Sequence, residues 1–161
     1  MDAGFVTSSK LLSQVVSILE EKCKFPSRNI LFLGYGQGGM AALSYLTSSL
    51  PNPNSSSGPS QEKEFGGVIS IGAGLPASFV LEGKGKARTP VLVCGGSRST
   101  QVTRGAVDKL RGAFTEVEYV KWQKADDGMM RNREEALPVM RFFGRRLRSR
   151  AGVPEGSLEV G

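Results

Sequence analysis

The stretch NILFLGYGQGGMAALSYL, residues 29–46, decides the fold. Its first part, residues 29–34, is a short apolar run bounded by turn-forming residues, which is typical of a strand buried on both faces of a sheet. Glycines follow directly, and a helical pattern then runs from Gln37 to about Leu50. The candidates for its buried face are Met40, Ala41, Leu43 and Leu46. A buried strand that turns through glycines into a helix predicts part of an α/β sheet.

Segments on both sides of this unit continue the alternation of helix and strand. Upstream, a helical pattern ends near residue 22; its apolar positions are Leu12, Val15, Val16 and Leu19, and its cap candidates are Thr7, Ser8 and Ser9. Downstream, strands are predicted at 66–74, 89–96 and 117–122, and helices at about 101–114 and 133–148. This order predicts an α/β fold with a parallel sheet and helices on both faces.

The length and composition predict one domain. With 161 residues, 39% of them hydrophobic, the chain is long enough for a single core and short for two. We expect one domain over residues 1–150. Residues 51–65, PNPNSSSGPSQEKEF, combine proline, serine and charge, which predicts a flexible surface insertion. Residues 151–161 are predicted to form a disordered tail.

The glycine turn GYGQGG, residues 34–39, fits two templates. As G-x-G-x-x-G, with Gly34, Gly36 and Gly39, it would offer backbone N–H groups to a dinucleotide pyrophosphate. That template calls for an acidic residue about 20 positions later, a place that falls here in the serine-rich insertion. As G-x-S-x-G, the same turn has Gly36 where a nucleophilic serine would stand. The wider sequence favours the second template.

The chain contains no histidine and only two cysteines. Histidine is the commonest general base near neutral pH and the commonest zinc ligand, so its absence argues against both histidine-dependent catalysis and a structural zinc site. We predict no cofactor and no metal. No apolar run is long enough to span a membrane and the amino end does not resemble a signal peptide, which favours a cytoplasmic protein with reduced thiols.

The formal net charge is +6, and arginines crowd the segment RFFGRRLRSR, residues 141–150. A basic helix of this kind could attract nucleic acid or an anionic membrane surface. It lacks aromatic residues placed to stack on bases and any known nucleic-acid motif. We therefore interpret it as a helix with one docked face and one solvated basic face, and predict no nucleic-acid partner.

Residues 29–46 resemble the nucleophile elbow of the phospholipase, carboxylesterase and acyl-protein thioesterase family of α/β-hydrolases, which typically reads G-F-S-Q-G-G before a helix rich in small residues. Upstream, DAGFVTSSKLLSQVVSILEE is similar to the family's helix before the elbow. Downstream, TPVLVCGGSRSTQVT resembles the strand and loop that carry the family's aspartate, and DDGMMRNREEALPVMRFF resembles its histidine loop and last helix. The resemblance covers most of residues 2–148 and implies a partial α/β-hydrolase fold corresponding to the family's second half.

The resemblance also implies that all three positions of the catalytic triad are substituted. Gly36 stands at the serine position, Ser99 falls within a residue or two of the aspartate position, and Arg131 stands at the histidine position. Gln37 would supply one oxyanion N–H, while the loop that supplies the second donor has no counterpart. Gly34, Gly38 and Gly39 are candidates for ligand binding, and an acyl or ester small molecule is the candidate ligand. Serine chemistry needs a nucleophile and a base, so we expect no working triad.

Other polar residues have simpler interpretations. Ser70 and Cys94 lie near strand ends, but without a base to activate them they are expected to be core residues. Asp126, Asp127, Glu134 and Glu135 could hold a divalent cation, although acidic residues near a helix start commonly interact with the helix dipole. For the glycines, a tight strand-to-helix turn is the simplest explanation.

Three hypotheses follow from the sequence. The first is a hydrolase-like protein without hydrolase activity, and the second is a non-catalytic module that binds an anion or acyl group at the glycine turn. The third is a fragment of a longer gene product. A sheet that starts at the elbow strand also leaves residues 29–34 at an open edge, which predicts self-association or pairing with a partner chain there.

Overall fold

The computed structural model describes residues 3–48, 50, 63–81, 83 and 85–147. The elements, in chain order, are α1 (Ala3–Glu21), β1 (Leu31–Tyr35), α2 (Gln37–Ser48), β2 (Gly67–Ile71), β3 (Val91–Gly95), α3 (Arg104–Ala113), β4 (Val117–Lys121) and α4 (Arg133–Arg146), with a short 3₁₀ turn at Ser27–Asn29. Every predicted strand and helix is present, with ends shifted by a few residues. Most of the predicted insertion and all of the predicted tail lie outside the described residues.

The four strands form one parallel sheet in the order β1-β2-β3-β4. Helices α1, α2 and α3 pack on one face, where Val16, Leu43 and Leu110 join one cluster of buried side chains. Helix α4 packs on the other face through Val139 and Phe142. The predicted α/β class, with a parallel sheet covered on both faces, is confirmed. Because all strands run in the same direction, the loops that follow them lie together at the carboxyl ends of the strands, called here the carboxyl edge of the sheet.

The outer position of β1 changes its predicted burial. Strands β2 and β3 are buried along their whole length, as expected between two neighbours. In β1, Leu33 is 52% exposed and Tyr35 is 54% exposed. The prediction that residues 29–34 are buried on both faces is therefore wrong for Leu33, and Tyr35 lies beyond the predicted strand. Among the described residues, no strand pairs with the outer edge of β1.

Helix α1 starts earlier than the capping residues suggested. Thr7 and Ser8 lie inside the helix, where their hydroxyls donate to the carbonyl oxygens of Ala3 and Gly4 four residues back. Ser9 is also inside it. Val16 is buried, with Leu12 and Leu19 packed partly against the core. Val15, predicted to be buried, is exposed.

Phe65 corrects the carboxyl-terminal limit of the predicted insertion. Its side chain is 3% exposed, and its ring lies 5.2 Å from the ring of Phe32 and 6.2 Å from that of Tyr45. Its backbone N–H donates to the hydroxyl of Thr89. An aromatic ring buries much more apolar surface than its polar neighbours, so this residue belongs to the core.

Candidate functional site at the carboxyl edge of the sheet

The turn after β1 has the shape of a nucleophile elbow. Gly36 has φ 53°, in the left-handed region that favours glycine. Its N–H donates to the carbonyl oxygen of Ile71 at 2.8 Å, and its carbonyl accepts from the N–H of Met40 at 3.2 Å. One residue therefore ends the β1–β2 ladder and begins α2. This abrupt change from strand to helix is the backbone geometry that exposes the serine in α/β-hydrolases.

Two glycines beside the apex let α2 lie directly against the strands. A Cβ on Gly34 would overlap the backbone of Gly38 and Gly39, and a Cβ on Gly39 would overlap the hydroxyl of Ser70. Ser70 is fully buried, and its hydroxyl donates to the carbonyl of Ala73 at 2.7 Å. Close packing accounts for Gly34, Gly39 and Ser70, which leaves Gly38 as the exposed member of the three glycines predicted to bind a ligand.

The outer side of the turn is open. A Cβ placed on Gly36 or on Gly38 would meet no heavy atom within 4 Å. Gln37 is the first residue of α2, where backbone N–H groups lack partners within the helix. A cavity of about 360 Å³ lies beside Gln37 and Gly38 and is walled by α1 residues including Phe5 and Ser8. The Gln37 N–H predicted as an oxyanion donor thus lies at the start of a helix, with no nucleophile on the adjacent residue.

Ser99, at the predicted aspartate position, is held by Asp127. The Ser99 hydroxyl donates to Oδ2 of Asp127 at 2.8 Å and accepts from the N–H of Val102 at 2.8 Å. The other oxygen of Asp127, Oδ1, accepts from the N–H of Gly96 at 2.8 Å. The loop after β3 is therefore tied to the loop after β4 through one carboxylate. Ser99 carries no charge with which to orient a base.

Arg131, at the predicted histidine position, pairs with Asp126. Its Nη2 lies 3.0 Å and 2.9 Å from the two carboxylate oxygens of Asp126. The N–H of Gly128, and then the guanidinium of Arg131, hold the pKa of Asp126 below its ordinary value. A guanidinium stays protonated in proteins, so Arg131 cannot take the proton of a hydroxyl at neutral pH.

A second ion pair joins the loop after β4 to the first turn of α4. Lys124 Nζ is 3.1 Å from Oε2 of Glu135, and the two side chains are 8% and 13% exposed. The ammonium also donates to the carbonyls of Gly128 and Met129 at 2.6 Å and 2.7 Å, and lies 4.3 Å from the centre of the Trp122 ring. The N–H of Arg131 is the main cause that lowers the pKa of Glu135.

The three residues predicted at the triad positions lie in loops at the carboxyl end of the sheet, and no hydrogen bond or ion pair joins any two of them directly. Ser99 and Arg131 belong to one network through the adjacent residues Asp126 and Asp127. Asp127 also packs over the end of β2. A Cβ built on Gly72 would lie 2.9 Å from the Cβ of Asp127. Gly36 joins the same edge only through its backbone. The bonds of Asp127 and Lys124 were not predictable, because no local pattern in the sequence indicates which loops will meet.

Three of the four carboxylates that suggested a cation site have separate partners. Asp126 binds Arg131, Asp127 binds Ser99 and the Gly96 N–H, and Glu135 binds Lys124. Within the described part of the chain, no three histidine, cysteine or acidic residues lie close enough to hold a metal ion.

None of the helices described here is long and apolar enough to cross a membrane.

The two cysteines differ in reactivity. Cys94, near the carboxyl end of β3, is fully buried, and this burial raises the pKa of its thiol to about 12. Its thiolate is therefore scarce at neutral pH, and the side chain behaves as a core residue. Cys23, just after α1, is exposed, and neither cysteine forms a disulfide.

Comparison with known proteins supports the fold. No family model matches the sequence, and no curated protein matches it either. Among solved structures, that of YahD with malic acid is similar, with a TM-score of 0.59, 16% identity, and coverage of 88% of this chain and 63% of that chain. A phospholipase/carboxylesterase from Dyadobacter fermentans DSM 18053 gives a TM-score of 0.66 and 19% identity over 88% of this chain and 65% of that chain.

SOBER1 F65L from Arabidopsis thaliana gives a TM-score of 0.64 and 18% identity over 92% of this chain and 68% of that chain. The described sheet has the fold of part of an α/β-hydrolase. The resemblance to phospholipases and carboxylesterases found in the sequence agrees with these similarities. The chain spans about two thirds of the length of each of the three solved structures.

Proposed function

We propose that this chain has the α/β-hydrolase fold of the carboxylesterases and acyl-protein thioesterases but does not hydrolyse esters or thioesters. The observation that carries the proposal is Gly36, which occupies the apex of the elbow in a chain that contains no histidine. The apex is the place where α/β-hydrolases expose their nucleophile, and glycine has no side chain to attack an acyl carbon.

The remaining polar groups of the site do not replace the triad. A serine becomes a nucleophile only when a neighbouring base accepts its proton. Arg131 is a permanent cation paired with Asp126, and Lys124 is paired with Glu135. The Asp127 carboxylate already accepts hydrogen bonds from Ser99 and Gly96. Each candidate base is thus either a cation held in an ion pair or a carboxylate that already accepts hydrogen bonds from other groups.

The test is labelling with a fluorophosphonate probe, combined with turnover of short and long acyl esters and thioesters. The purified chain is expected to stay unlabelled and to give rates equal to buffer, while an active serine hydrolase in the same tube labels fully. Circular dichroism and a cooperative melt confirm that the unlabelled protein is folded. Stoichiometric labelling mapped to one serine of this chain would overturn the proposal.

The variant Gly36→Ser separates the missing nucleophile from the missing base. Its Cβ has open space, and its backbone strain is about 1–2 kcal/mol, since a left-handed residue other than glycine costs about that much. The variant is expected to fold and to remain unreactive, because the chain has no histidine to activate the serine. Ester turnover by this variant would show that another group serves as the base.

A second candidate function is non-catalytic binding of an anion or acyl group at the glycine turn. The cavity of about 360 Å³ beside Gln37 and Gly38 supports it. A further cavity of about 500 Å³ lies between α1 and α2, where Lys10 and Tyr45 line it together with Ser44. The Ser44 hydroxyl is buried without a hydrogen-bond partner among the described residues.

Thermal-shift screening with fatty acids and phosphate esters tests this second candidate. Gly38→Leu would fill the cavity beside the turn and is expected to abolish any stabilisation by the ligand. Gly144→Leu, in α4, is the matched control, because its Cβ also meets nothing within 4 Å and it lies on the other face of the sheet. Equal stabilisation of both variants would place the ligand away from the glycine turn.

A further inference from the structure

A cationic cavity lies between α3 and β4, and it shares no lining residue with the cavity beside the glycine turn. It has a volume of about 510 Å³, and its lining includes Arg104, Arg111 and Lys121 together with Tyr119. Val102 and Val107 form an apolar part of its wall. We call it the α3–β4 cavity. Ser99, at the predicted aspartate position, also lines it, but none of its cationic residues belongs to the predicted triad.

Regular secondary structure directs these cations to one place. Arg104 and Arg111 are seven residues apart on α3, which puts them on the same side of the helix, about 10 Å apart along its axis. Tyr119 and Lys121 are two residues apart on β4, so both point to the same face of the sheet. The face is the one that α3 covers, because Tyr119 packs partly against the cluster that contains Leu110.

The positive charge in the cavity is poorly compensated. No acidic side chain lines it among the residues that the structure describes. Arg111 has a single exposed partner, Asp108, at 3.6 Å, whereas Arg104 and Lys121 form no ion pair with any described residue. Asp127 accepts hydrogen bonds from two residues of the lining, Ser99 and Gly96, and forms no ion pair with a cation of the cavity.

The starts of α3 and α4 both carry an arginine but differ in their acidic residues. Each helix has a polar N-cap and begins with an arginine, Arg104 in α3 and Arg133 in α4. In α4 the first turn also contains two acidic residues, whereas the first turn of α3 contains none. A cation beside the positive end of a helix is unfavourable unless an anion is nearby. Arg104 therefore lies at the start of a helix without the acidic neighbours that accompany Arg133.

We propose that the α3–β4 cavity binds a small molecule that carries a dianionic phosphate group. Two guanidinium groups and an ammonium match the charge and the acceptor oxygens of a phosphate, and arginine binds phosphate in a two-pronged geometry. The volume admits a small organic body, for which Val102, Val107 and the Tyr119 ring offer an apolar surface. The site is separate from the glycine turn and requires no catalysis.

The experiment is titration of the full chain with inorganic phosphate and with phenyl phosphate, followed by calorimetry and amide chemical shifts. Phosphate is expected to bind with a Kd of about 1 mM, and phenyl phosphate severalfold more tightly. The shifts should be largest in residues 96–107 and 119–121. If neither probe binds at about 10 mM, the proposal is wrong, because the Kd of the cavity for phosphate would then be well above the expected value of about 1 mM.

Paired variants with equal charge locate the binding. Arg104→Gln/Lys121→Gln is expected to weaken binding of phenyl phosphate at least about tenfold, because two charged hydrogen bonds are lost. Arg133→Gln/Arg141→Gln lowers the net charge equally, on exposed positions of α4, and should bind as the wild type does. If both double variants bind phenyl phosphate equally weakly, the loss of affinity is due to net charge alone, and the proposed binding site is wrong.

Melting temperature provides an independent readout. Without ligand, Arg104→Gln should melt at the same temperature as the wild type or higher, because an unfavourable charge has left the start of α3. With phenyl phosphate, the wild type should gain more stability than the variant. A variant that melts lower without ligand and gains as much as the wild type with it would assign Arg104 a structural role and contradict the proposal.

Discussion

The two outer strands of the sheet, β1 and β4, present opposite chemistry. Strand β1, with the sequence LFLGY, has no charged residue and exposes more than half of Leu33 and Tyr35. Strand β4, with the sequence VEYVK, contains Glu118, which pairs with Arg145 of α4, and ends at Lys121. Charged side chains on an outer strand discourage pairing with other chains. Only β4 has that protection.

The loops that follow these strands differ in the same way. The turn after β1 is held by contacts between backbone atoms of Gly34, Gly38 and Gly39. The loop after β4 is held by ionic groups, among them Lys124 and Asp126. The β1 side should therefore be sensitive to added volume and the β4 side to lost charge. Each side can be tested by substitutions that leave the other unchanged.

The largest effect is expected from Gly34→Ala. Its methyl group would overlap the backbone of α2, which cannot move without separating the helix from the sheet, so we expect a loss of at least about 3 kcal/mol in the free energy of unfolding. Gly38→Ala is the matched control, with open space around its Cβ, and should be neutral or more stable by up to about 1 kcal/mol. Urea denaturation measures both. A tolerated Gly34→Ala would contradict the close packing of the elbow.

The next effect is expected on the β4 side, from Lys124→Met. This change removes a charged donor from the carbonyls of Gly128 and Met129, and we expect a loss of about 3 kcal/mol in the free energy of unfolding. Lys121→Met, on the exposed last residue of β4, should change it by less than about 0.5 kcal/mol. Equal effects in the two variants would mean that burial and pairing of Lys124 add nothing to stability.

Association at β1 is a third test, and the proposal that this edge pairs with another chain remains a prediction. Since the N–H of Gly36 points to β2, the N–H groups of Leu31, Leu33 and Tyr35 should point to the open edge. Light scattering at low micromolar concentration should show self-association, and Leu33→Lys should weaken it at least about tenfold. Val80→Lys, also at an exposed apolar residue, is the control.

A stable monomer in which the Leu33 amide resists hydrogen exchange would contradict this prediction, because the edge would then already be covered within the chain. A stable monomer with rapid hydrogen exchange at the Leu33 amide would also contradict the predicted self-association, for a different reason. The edge would be open, and the exposed apolar side chains of β1 would be insufficient to recruit a second copy. Exchange at Phe32, which points to β2, serves as the internal reference.

The smallest effect concerns the exposed pair of Asp126 and Arg131. The pKa of Asp126 is lowered, so its contribution to stability is present at neutral pH and is lost as the pH falls through its folded-state pKa. Asp126→Asn should therefore melt slightly below the wild type at pH 7, and the difference should shrink below about pH 4. A gap that widens in acid would show that the carboxylate does not stabilise the fold in its ionised form.

The element order was predictable because buried strands, glycine turns and amphipathic helices each leave a local pattern in the sequence. The exposed state of β1 was not visible in its own residues, since an apolar run such as ILFL reads the same at the centre of a sheet and at its edge. Phe65 was assigned to a flexible segment because its polar neighbours dominate the local composition. A single aromatic ring can enter the core without altering that composition.

The candidate site was predictable only where it depends on backbone shape. Gly36 could be placed from the spacing of the surrounding glycines, and its positive φ agrees with that placement. The bonds of Ser99 with Asp127 and of Lys124 with Glu135 join residues that are 28 and 11 positions apart. Which of several carboxylates meets which donor is set by the packing of two loops, for which the sequence has no local pattern.

Because one thiol is exposed and the other is buried, the opening of the native sheet can be followed with a thiol reagent. A thiol reagent should react at once with Cys23 in the native protein, whereas Cys94 can react only when β3 leaves the centre of the sheet. The slow second phase would then report how often the sheet opens, without any added label. Comparing that rate in the Gly34→Ala and Lys124→Met variants would reveal whether the elbow or the ionic loop limits the opening of the sheet.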